Sequence, residues 1–260
     1  IIGEIPHIKK NDELTELSQS NSRSPLAESI RMIIANLNYS KPIKGDNKKS
    51  LVTLVTSSIK GEGKTLISSN ISSLLSSAEN KKVLLIGADL RNPQIHQILK
   101  VNKDDYKGLS DIIYTNKIEN YKDYVIKNQN LDIILSGSIP PNPTELLISD
   151  KFKKLINLVK NEYDHIIIDS APCLLVSDTI EISRLADITL YVFRANYTAS
   201  NLVDYIRDSK KRQKLNNINL VINSVGNSQT YGYKYGYQYG YQYGYKYSYN
   251  YGYGYGYGNK

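Results

Sequence analysis

Cysteine is almost absent from this 260-residue chain, which carries Cys173 alone. A single thiol excludes an intrachain disulfide, and no group of Cys and His residues has the spacing of a metal site. The chain also lacks a run of the roughly 18 apolar residues that a membrane span needs, and no signal peptide opens it. These absences favour a protein of the reducing cytosol. Because the first residue is Ile1 rather than Met, we expect a fragment of a longer protein, with any membrane segments upstream.

The formal net charge of +8 is not gathered into one basic segment. Lysines are scattered through the chain, and the densest groups, at 48–49 and 210–212, are typical of solvated loops and helix faces. Nucleic-acid-binding domains usually gather their basic residues on one face. The distribution therefore argues against a nucleic-acid partner and makes contact with anionic lipid head groups the better alternative.

Composition divides the chain into three regions. Residues 1–24 are polar and are predicted to form a juxtamembrane-like linker. Residues 25–228 alternate short β-branched runs with helical patterns, which predicts an α/β, P-loop NTPase-like domain with a mostly parallel central sheet flanked by helices. Residues 229–260 form a low-complexity, tyrosine-rich tail that we expect to be disordered.

Six near-continuous apolar runs are predicted to be strands buried on both faces. The helical spacing of Ile67, Ile71 and Leu74 predicts a helix between the first two strands. Another helix is predicted over 25–38, with Ser24 as its N-cap and Pro25 in its first turn, and a third over 144–160. The predicted strands cover residues 51–57, 83–88, 131–136, 165–170, 188–194 and 218–224.

The strongest motif lies between the first predicted strand and the helix after it. Residues 58–65 are SIKGEGKT, which approaches the P-loop pattern G-x-x-x-x-G-K-[ST] with Ser58 at the first glycine. Two glycines would let successive backbone N–H groups turn toward phosphate oxygens at the positive end of the helix. Lys64 would neutralise the β- and γ-phosphates, and the Thr65 hydroxyl would bind Mg²⁺. The predicted nucleotide contacts are Ser58, Lys60, Gly61, Glu62, Gly63, Lys64, Thr65 and Leu66.

Two carboxylates follow buried strands at the edge of the predicted sheet where ligands bind. Asp89 lies just beyond the run VLLIGA, although an Asp there is equally typical of a helix cap. Asp169 ends the run HIII; with a P-loop upstream this is the Walker B arrangement, which holds Mg²⁺ directly or through water. We therefore predict ATP and Mg²⁺ as ligands, with Thr65, Asp89 and Asp169 at the metal.

Several segments together resemble one family, the bacterial protein-tyrosine kinases of capsule and exopolysaccharide assembly. They are the P-loop, ADLRNP at 88–93, GLS at 108–110, PPNPTELL at 140–147, IDSAP at 168–172 and RLAD at 184–187. The resemblance covers essentially the whole chain, since GEIP at 3–6 is similar to the segment after the second membrane helix of membrane-anchored members. It implies phosphoryl transfer from ATP to protein tyrosine, with Lys64, Asp89 and Asp169 as catalytic residues and Arg91 as a further nucleotide contact.

The resemblance also implies partners and a location. The partners are other copies of the chain in a ring, an octamer by resemblance, a cognate tyrosine phosphatase and the polysaccharide export machinery. The location is the cytoplasmic face of the inner membrane. The family carries E-x-x-R-x-x-R at the subunit interface; here Glu28 and Arg31 match, while Ile34 replaces the last arginine. The alternative for Glu28 and Arg31 is a solvated helix face.

The chain departs from the family at the end of the second predicted strand. The family has a D-x-D motif there with both acids at the metal, and this chain has Gly87 in place of the first. Asp89 is then the remaining candidate to accept the phenolic proton. The alternatives to an active kinase are an ATP-gated oligomerisation scaffold and a partition-type ATPase; the latter carries a lysine where this chain has Ile59.

Tyrosine occupies every odd position from 231 to 257, fourteen in all. Glycine at so many even positions makes a stable strand costly, which favours a mobile tail. Thirty residues span about 100 Å when extended, so the tail would reach a neighbouring subunit and be phosphorylated there. The alternative is an adhesive low-complexity segment. The predicted phosphoacceptors are Tyr231, Tyr233, Tyr235, Tyr237, Tyr239, Tyr241, Tyr243, Tyr245, Tyr247, Tyr249, Tyr251, Tyr253, Tyr255 and Tyr257.

Overall fold

The computed structural model describes residues 1–8, 24–40, 50–77, 81–128 and 130–226. Its centre is an eight-stranded sheet, built from apolar runs whose β-branched side chains favour extended backbone. All six predicted strands are confirmed, with their bounds shifted by two residues at most. The strands are β1 (Gly3–Pro6), β2 (Leu51–Ser57), β3 (Val83–Gly87), β4 (Ile126–Asn128), β5 (Leu131–Ile134), β6 (His165–Asp169), β7 (Ile188–Arg194) and β8 (Ile218–Val225).

The strands lie in the order β1-β8-β7-β2-β6-β3-β5-β4. Among the described pairs, β4 and β5 are antiparallel and all others are parallel. The chain leaves β2 for β3 on one side and later crosses from β6 to β7 on the other, so the order reverses at β2. Ligands of open parallel sheets bind at such a reversal, beyond the carboxyl ends of the strands.

Helices cover both faces of the sheet. The described helices are α1 (Pro25–Tyr39), α2 (Lys64–Ser76), α3 (Ile95–Leu99), α4 (Leu109–Tyr114), α5 (Pro143–Ile148), α6 (Asp150–Val159), α7 (Asp178–Ser183) and α8 (Asn201–Lys211). Successive strand residues point to opposite faces, so Leu84 and Ile86 share one core with α4 to α7. Val83 and Leu85 share the other core with α1 and α2. The predicted helix-flanked parallel sheet is therefore confirmed.

Capping serines explain two helix boundaries. The Ser24 hydroxyl accepts a hydrogen bond from Ala27 N (3.2 Å), and Pro25 opens α1, which confirms the predicted cap. The single helix predicted over 144–160 is wrong, because the chain forms α5 and α6 there. Ser149 between them has extended backbone (φ −66°, ψ 155°) and accepts from Phe152 N as the N-cap of α6.

The first residues of the chain differ from the prediction. We predicted a linker over 1–24, yet Gly3–Pro6 forms the edge strand β1, parallel to β8. Ile5 is fully buried, and the Asn36 amide donates to the Ile2 carbonyl at 2.7 Å, which ties the strand to α1. A segment of four residues that includes a glutamate and a proline has no periodic pattern from which a strand can be predicted.

Two further features bear on the predictions. Within the described segments, no helix combines the length and apolar character needed to cross a membrane. The tyrosines at 231–257 and most of the predicted linker lie outside the described residues.

Candidate nucleotide site

The P-loop connects β2 to α2 at the edge where the strand order reverses. Gly61 (φ 88°) and Gly63 (φ 99°) adopt left-handed backbone that only glycine takes without strain. At Gly63 a side chain is excluded on space as well, since a Cβ would lie 2.2 Å from Asn223 Nδ2. Lys64 and Thr65 then open α2, as the motif predicts, at the helix end where the partial positive charge favours phosphate.

Two P-loop side chains are buried beneath the loop and do not line the cavity. The Ser58 hydroxyl lies 2.9 Å from the Tyr191 hydroxyl, and Ser58 is fully buried. Glu62, also fully buried, accepts from Ile59 N at 2.7 Å and from the Thr198 hydroxyl. Both were predicted as nucleotide contacts. Their side chains instead hold the loop in shape, so a contact with nucleotide falls to their backbone atoms.

Side chains that follow β7 and β8 hold the loop from outside. Arg194 donates to Gly61 O at 3.0 Å, and the Tyr197 hydroxyl donates to Lys60 O at 3.0 Å. Asn223 Nδ2 donates to Glu62 O at 2.9 Å. Three consecutive loop carbonyls are thus bonded to neighbouring side chains, which fixes the loop without using its N–H groups.

Asp169 lies at the centre of the site, at the end of β6. In the sheet register it is paired with Val55 of β2 on one side and with Gly87 of β3 on the other. Its Oδ2 accepts from the Thr65 hydroxyl at 2.8 Å, whereas its buried Oδ1 has no partner among the described residues. Burial raises the pKa of this carboxyl to about 6, helped by the charge of Asp89 and opposed by Lys64 and the Thr65 hydrogen bond.

Asp89 follows β3 and is partly exposed in the same cavity as Lys64 and Thr65. Its Oδ1 accepts from Asn92 N at 3.0 Å and from Arg91 N at 3.3 Å. These bonds fix the carboxylate as the cap of the turn that follows β3. The structural and the functional interpretations of this acid are therefore compatible.

A cavity of about 370 Å³ is enclosed between these elements. Of the predicted site residues, Lys60, Gly61, Gly63, Lys64, Thr65, Leu66, Asp89 and Arg91 line it. Asp169 lies directly behind Thr65, at 2% exposure. The volume falls within the range of ligand sites, about 300–1,000 Å³.

The oxygen donors present fit Mg²⁺. The ion is usually held by one or two carboxylates together with water and phosphate oxygens, so a dedicated cage of acids is not required. The part of the chain that the structure describes contains no group of three or more His, Cys, Asp or Glu residues placed for a metal. Thr65 and Asp169 would hold the ion, and the unpartnered Asp169 Oδ1 is a buried acceptor that a cation would satisfy.

Gly87 is closely packed where the family has an acid. A Cβ there would lie 2.8 Å from Ser136 Oγ, 3.1 Å from Ser136 N and 3.2 Å from Ile95 Cδ1. The loop after β5 thus occupies the space into which a carboxylate at position 87 would project. The site has been closed around the glycine.

Arg91 forms an ion pair at the rim of the cavity. Its guanidinium donates to Asp178 Oδ2 at 2.6 Å and to the Thr144 hydroxyl at 2.7 Å, and the Asp178 side chain is 1% exposed. The predicted nucleotide contact is therefore engaged with α5 and α7. Its position joins the Pro-rich segment to the site, which explains why both segments accompany the P-loop in the family pattern.

The predicted interface residues Glu28 and Arg31 lie on α1 and outside the cavity. They form an exposed ion pair with each other, 2.6 Å between Arg31 Nη1 and Glu28 Oε1. This geometry suits a solvated helix face and leaves both side chains accessible to another subunit. Their role at an interface remains a prediction.

Sequence reasoning missed the residues that brace the P-loop from β7 and β8: Tyr191, Arg194, Tyr197 and Asn223. They lie 126 or more positions downstream of Thr65, and none belongs to a motif of its own. The available signal was positional, because Arg194 and Asn223 end apolar strands at the edge that carries the P-loop.

The P-loop, the Walker B carboxylate and the parallel sheet define a P-loop nucleotide-binding domain. A family described as an AAA domain matches residues 52–222. The solved VpsO kinase domain is 32% identical with a TM-score of 0.61, over 74% of this chain and 94% of that one. The chain therefore belongs to the AAA-domain family and, within it, to the bacterial protein-tyrosine kinases.

Two other comparisons define the extent of the likeness. The tyrosine-protein kinase wzc of Salmonella typhi is 33% identical over 224 residues, which are 85% of this chain and 30% of that protein. The kinase domain of Escherichia coli tyrosine kinase ETK has the same fold, with a TM-score of 0.74 at 24% identity over 88% of this chain and 91% of that one. The chain thus spans about 30% of the length of its curated relative.

Proposed function

We propose that this chain is an ATP- and Mg²⁺-dependent tyrosine kinase that phosphorylates the tyrosines at 231–257 of another copy. The observation that carries the proposal is the grouping of Lys64, Thr65, Asp89 and Asp169 around one cavity. Catalysis of phosphoryl transfer consists almost entirely of positioning and charge stabilisation, and these four side chains supply both.

Each residue would have a defined task in the transfer. Lys64 places its charge beside the transferred group, and Thr65 and Asp169 hold Mg²⁺, which when bound neutralises charge on the β- and γ-phosphates. The phenolic oxygen forms a bond to the γ-phosphorus as the bond to the β–γ bridging oxygen breaks, and ADP leaves with that electron pair. Asp89 orients the phenol and accepts its proton.

The direction in which the chain leaves the domain supports the choice of substrate. β8 ends at Val225, and Ser224 lines the cavity, so the chain leaves the domain at the rim of the site. The fourteen tyrosines begin five residues after Gly226. A flexible tether keeps a linked substrate at an effective concentration of the order of millimolar when linker and span match.

The first test is the intact mass of dephosphorylated protein after incubation with ATP and Mg²⁺. We expect a series of phosphate additions that map to residues 231–257, and none in Lys64→Met. Lys107→Met, an exposed lysine outside the cavity, is the matched control and should match the wild type. ATP binding without phosphate addition would contradict the proposal and favour the ATP-gated scaffold.

Transfer between copies is tested by mixing two full-length variants. The first, Lys64→Met, keeps the tyrosines; the second keeps Lys64 but has the fourteen tail tyrosines changed to serine. Phosphate should appear on the Lys64→Met chain in the mixture, at a rate that rises with the concentration of the second variant. A wild-type rate independent of protein concentration, with no transfer in the mixture, would show that the tail reacts within its own copy.

At the level of the cell, the proposal is that phosphorylation of the tail regulates exopolysaccharide or capsule export at the cytoplasmic face of the membrane. The support is the family to which the chain belongs, and ring assembly and a cognate phosphatase belong to the same proposal. Replacing the encoded protein by its Lys64→Met form in the cell should alter the amount or length of surface polysaccharide, and an unchanged polysaccharide would contradict this role.

A further inference from the structure

The cavity has two ends, which the order of the strands defines. Asp89 and Asp169 follow β3 and β6, on one side of β2, whereas Arg194, Asn223 and Ser224 belong to β7 and β8 on the other. The P-loop lies between them. Since the metal-binding acids accompany the terminal phosphates, the acceptor must enter at the β3 end, and the nucleoside lies toward β7 and β8.

The wall at the β3 end is apolar. It consists of Ile98 in α3 and of Leu175 and Val176 in the loop after β6. Leu175 is 68% exposed, although it is large and apolar and lies in the same cavity as Asp89. A leucine in that position adds little to the core but offers apolar surface to whatever approaches Asp89.

We propose that Ile98, Leu175 and Val176 form an acceptor wall, on which the ring of the substrate tyrosine lies while its hydroxyl reaches Asp89. The inference rests on the proposed function and deepens it, by naming residues that select tyrosine. The occupant is a tyrosine from residues 231–257 of a second copy. A phenol ring matches an apolar wall with a carboxylate at its end, because it presents an apolar body and one polar tip.

The composition of the tail agrees with this assignment. Residues 231–257 contain no Asp or Glu and include Lys234 and Lys246, so no negative charge opposes entry beside Asp89. Glycine at many positions between the tyrosines leaves the ring as the main side-chain surface available for contact. Serine would lack the ring, so the wall would also act against hydroxyl acceptors of other residue types.

The test uses the mixed assay, with the serine-tail variant as the enzyme and Lys64→Met as the acceptor. Leu175→Ser in the enzyme should raise the KM for the acceptor about tenfold, which corresponds to about 1.4 kcal/mol. The Kd for ATP, measured by calorimetry, should stay within about twofold. Leu175→Met keeps an apolar contact and should recover most of the loss. Ile139→Ser, at a residue 59% exposed and outside the cavity, is the matched surface control.

The outcomes separate the acceptor wall from the proposed function. An unchanged KM in Leu175→Ser, with transfer intact, would overturn the wall and leave the kinase in place. An equal loss of ATP affinity would overturn it by assigning Leu175 to the nucleotide. A change in sedimentation that accounts for the KM would assign Leu175 to a contact between copies, which also overturns it. No transfer by the unmodified enzyme would refute the proposed function and the wall together.

Discussion

Asp169→Asn should stabilise the nucleotide-free protein, although it removes a residue placed at the metal. In the folded chain, burial raises the pKa of this carboxyl from 3.8 to about 6. The folded state therefore holds a proton that the unfolded state has released, and at neutral pH it carries an unfavourable buried charge. At about 1.4 kcal/mol per pH unit, this difference costs roughly 3 kcal/mol.

Asparagine keeps an oxygen to accept from Thr65 but places an amide group where Oδ1 now has no partner. That amide offsets part of the gain, so we expect a net stabilisation of about 2 kcal/mol at pH 7.5. For a domain of this size it corresponds to a Tm rise of about 4–8 °C. The effect has a defined pH dependence: it is absent below about pH 4, grows as the pH rises toward 6, and is constant above.

Thermal unfolding by circular dichroism at pH 4, 6 and 7.5, without nucleotide, measures this effect. Asp150→Asn is the control, because that carboxylate is 96% exposed and paired with Lys153, and it should show no such rise. In a second series, saturating ATP and Mg²⁺ should raise the Tm of the wild type and change that of Asp169→Asn little. A variant less stable than the wild type at pH 7.5, or a difference that does not shrink toward pH 4, would refute the argument.

Three further substitutions test the packing of the site. Gly63→Ala combines a left-handed φ with a 2.2 Å approach to Asn223, so it should destabilise the domain by about 2 kcal/mol and abolish ATP binding by calorimetry. Gly87→Asp should destabilise it by about 2 kcal/mol, with partial recovery when Ser136→Gly is added; a stable single variant with higher activity would contradict the close packing. Arg91→Ala leaves a buried carboxylate of α7 without its cation and should cost about 2 kcal/mol in urea, whereas Arg91→Lys should cost less, and equal losses would show that the charge is not what matters.

The strands that could be predicted are those whose burial is written into consecutive residues. Leu51–Ser57 and Ile188–Arg194 were predicted with their observed bounds, because apolar side chains are needed on both faces there. Gly3–Pro6 and Ile126–Asn128 were missed, since each is short and partly exposed. Their strand conformation comes from pairing with β8 and β5, which local sequence does not specify.

The candidate site divides in the same way. Thr65 and Asp169 were predicted because each belongs to a motif whose spacing follows from phosphate and metal chemistry. The exposure of Leu175, the packing around Gly87 and the support from Asn223 depend on strands that meet only after folding. Arg91 was correctly placed at the site, but its pairing with Asp178 required the positions of two distant helices.

The carboxyl end of β8 has a consequence for engineering. Because β8 is parallel to β7, it delivers whatever follows Val225 to the same edge of the sheet as the P-loop. The segment attached there is an exchangeable cargo, since the fold specifies only the point of attachment. Grafting other peptides after Gly226 would turn the domain into a platform on which substrate preference is read directly, with the tether supplying proximity and the peptide alone deciding whether it reacts.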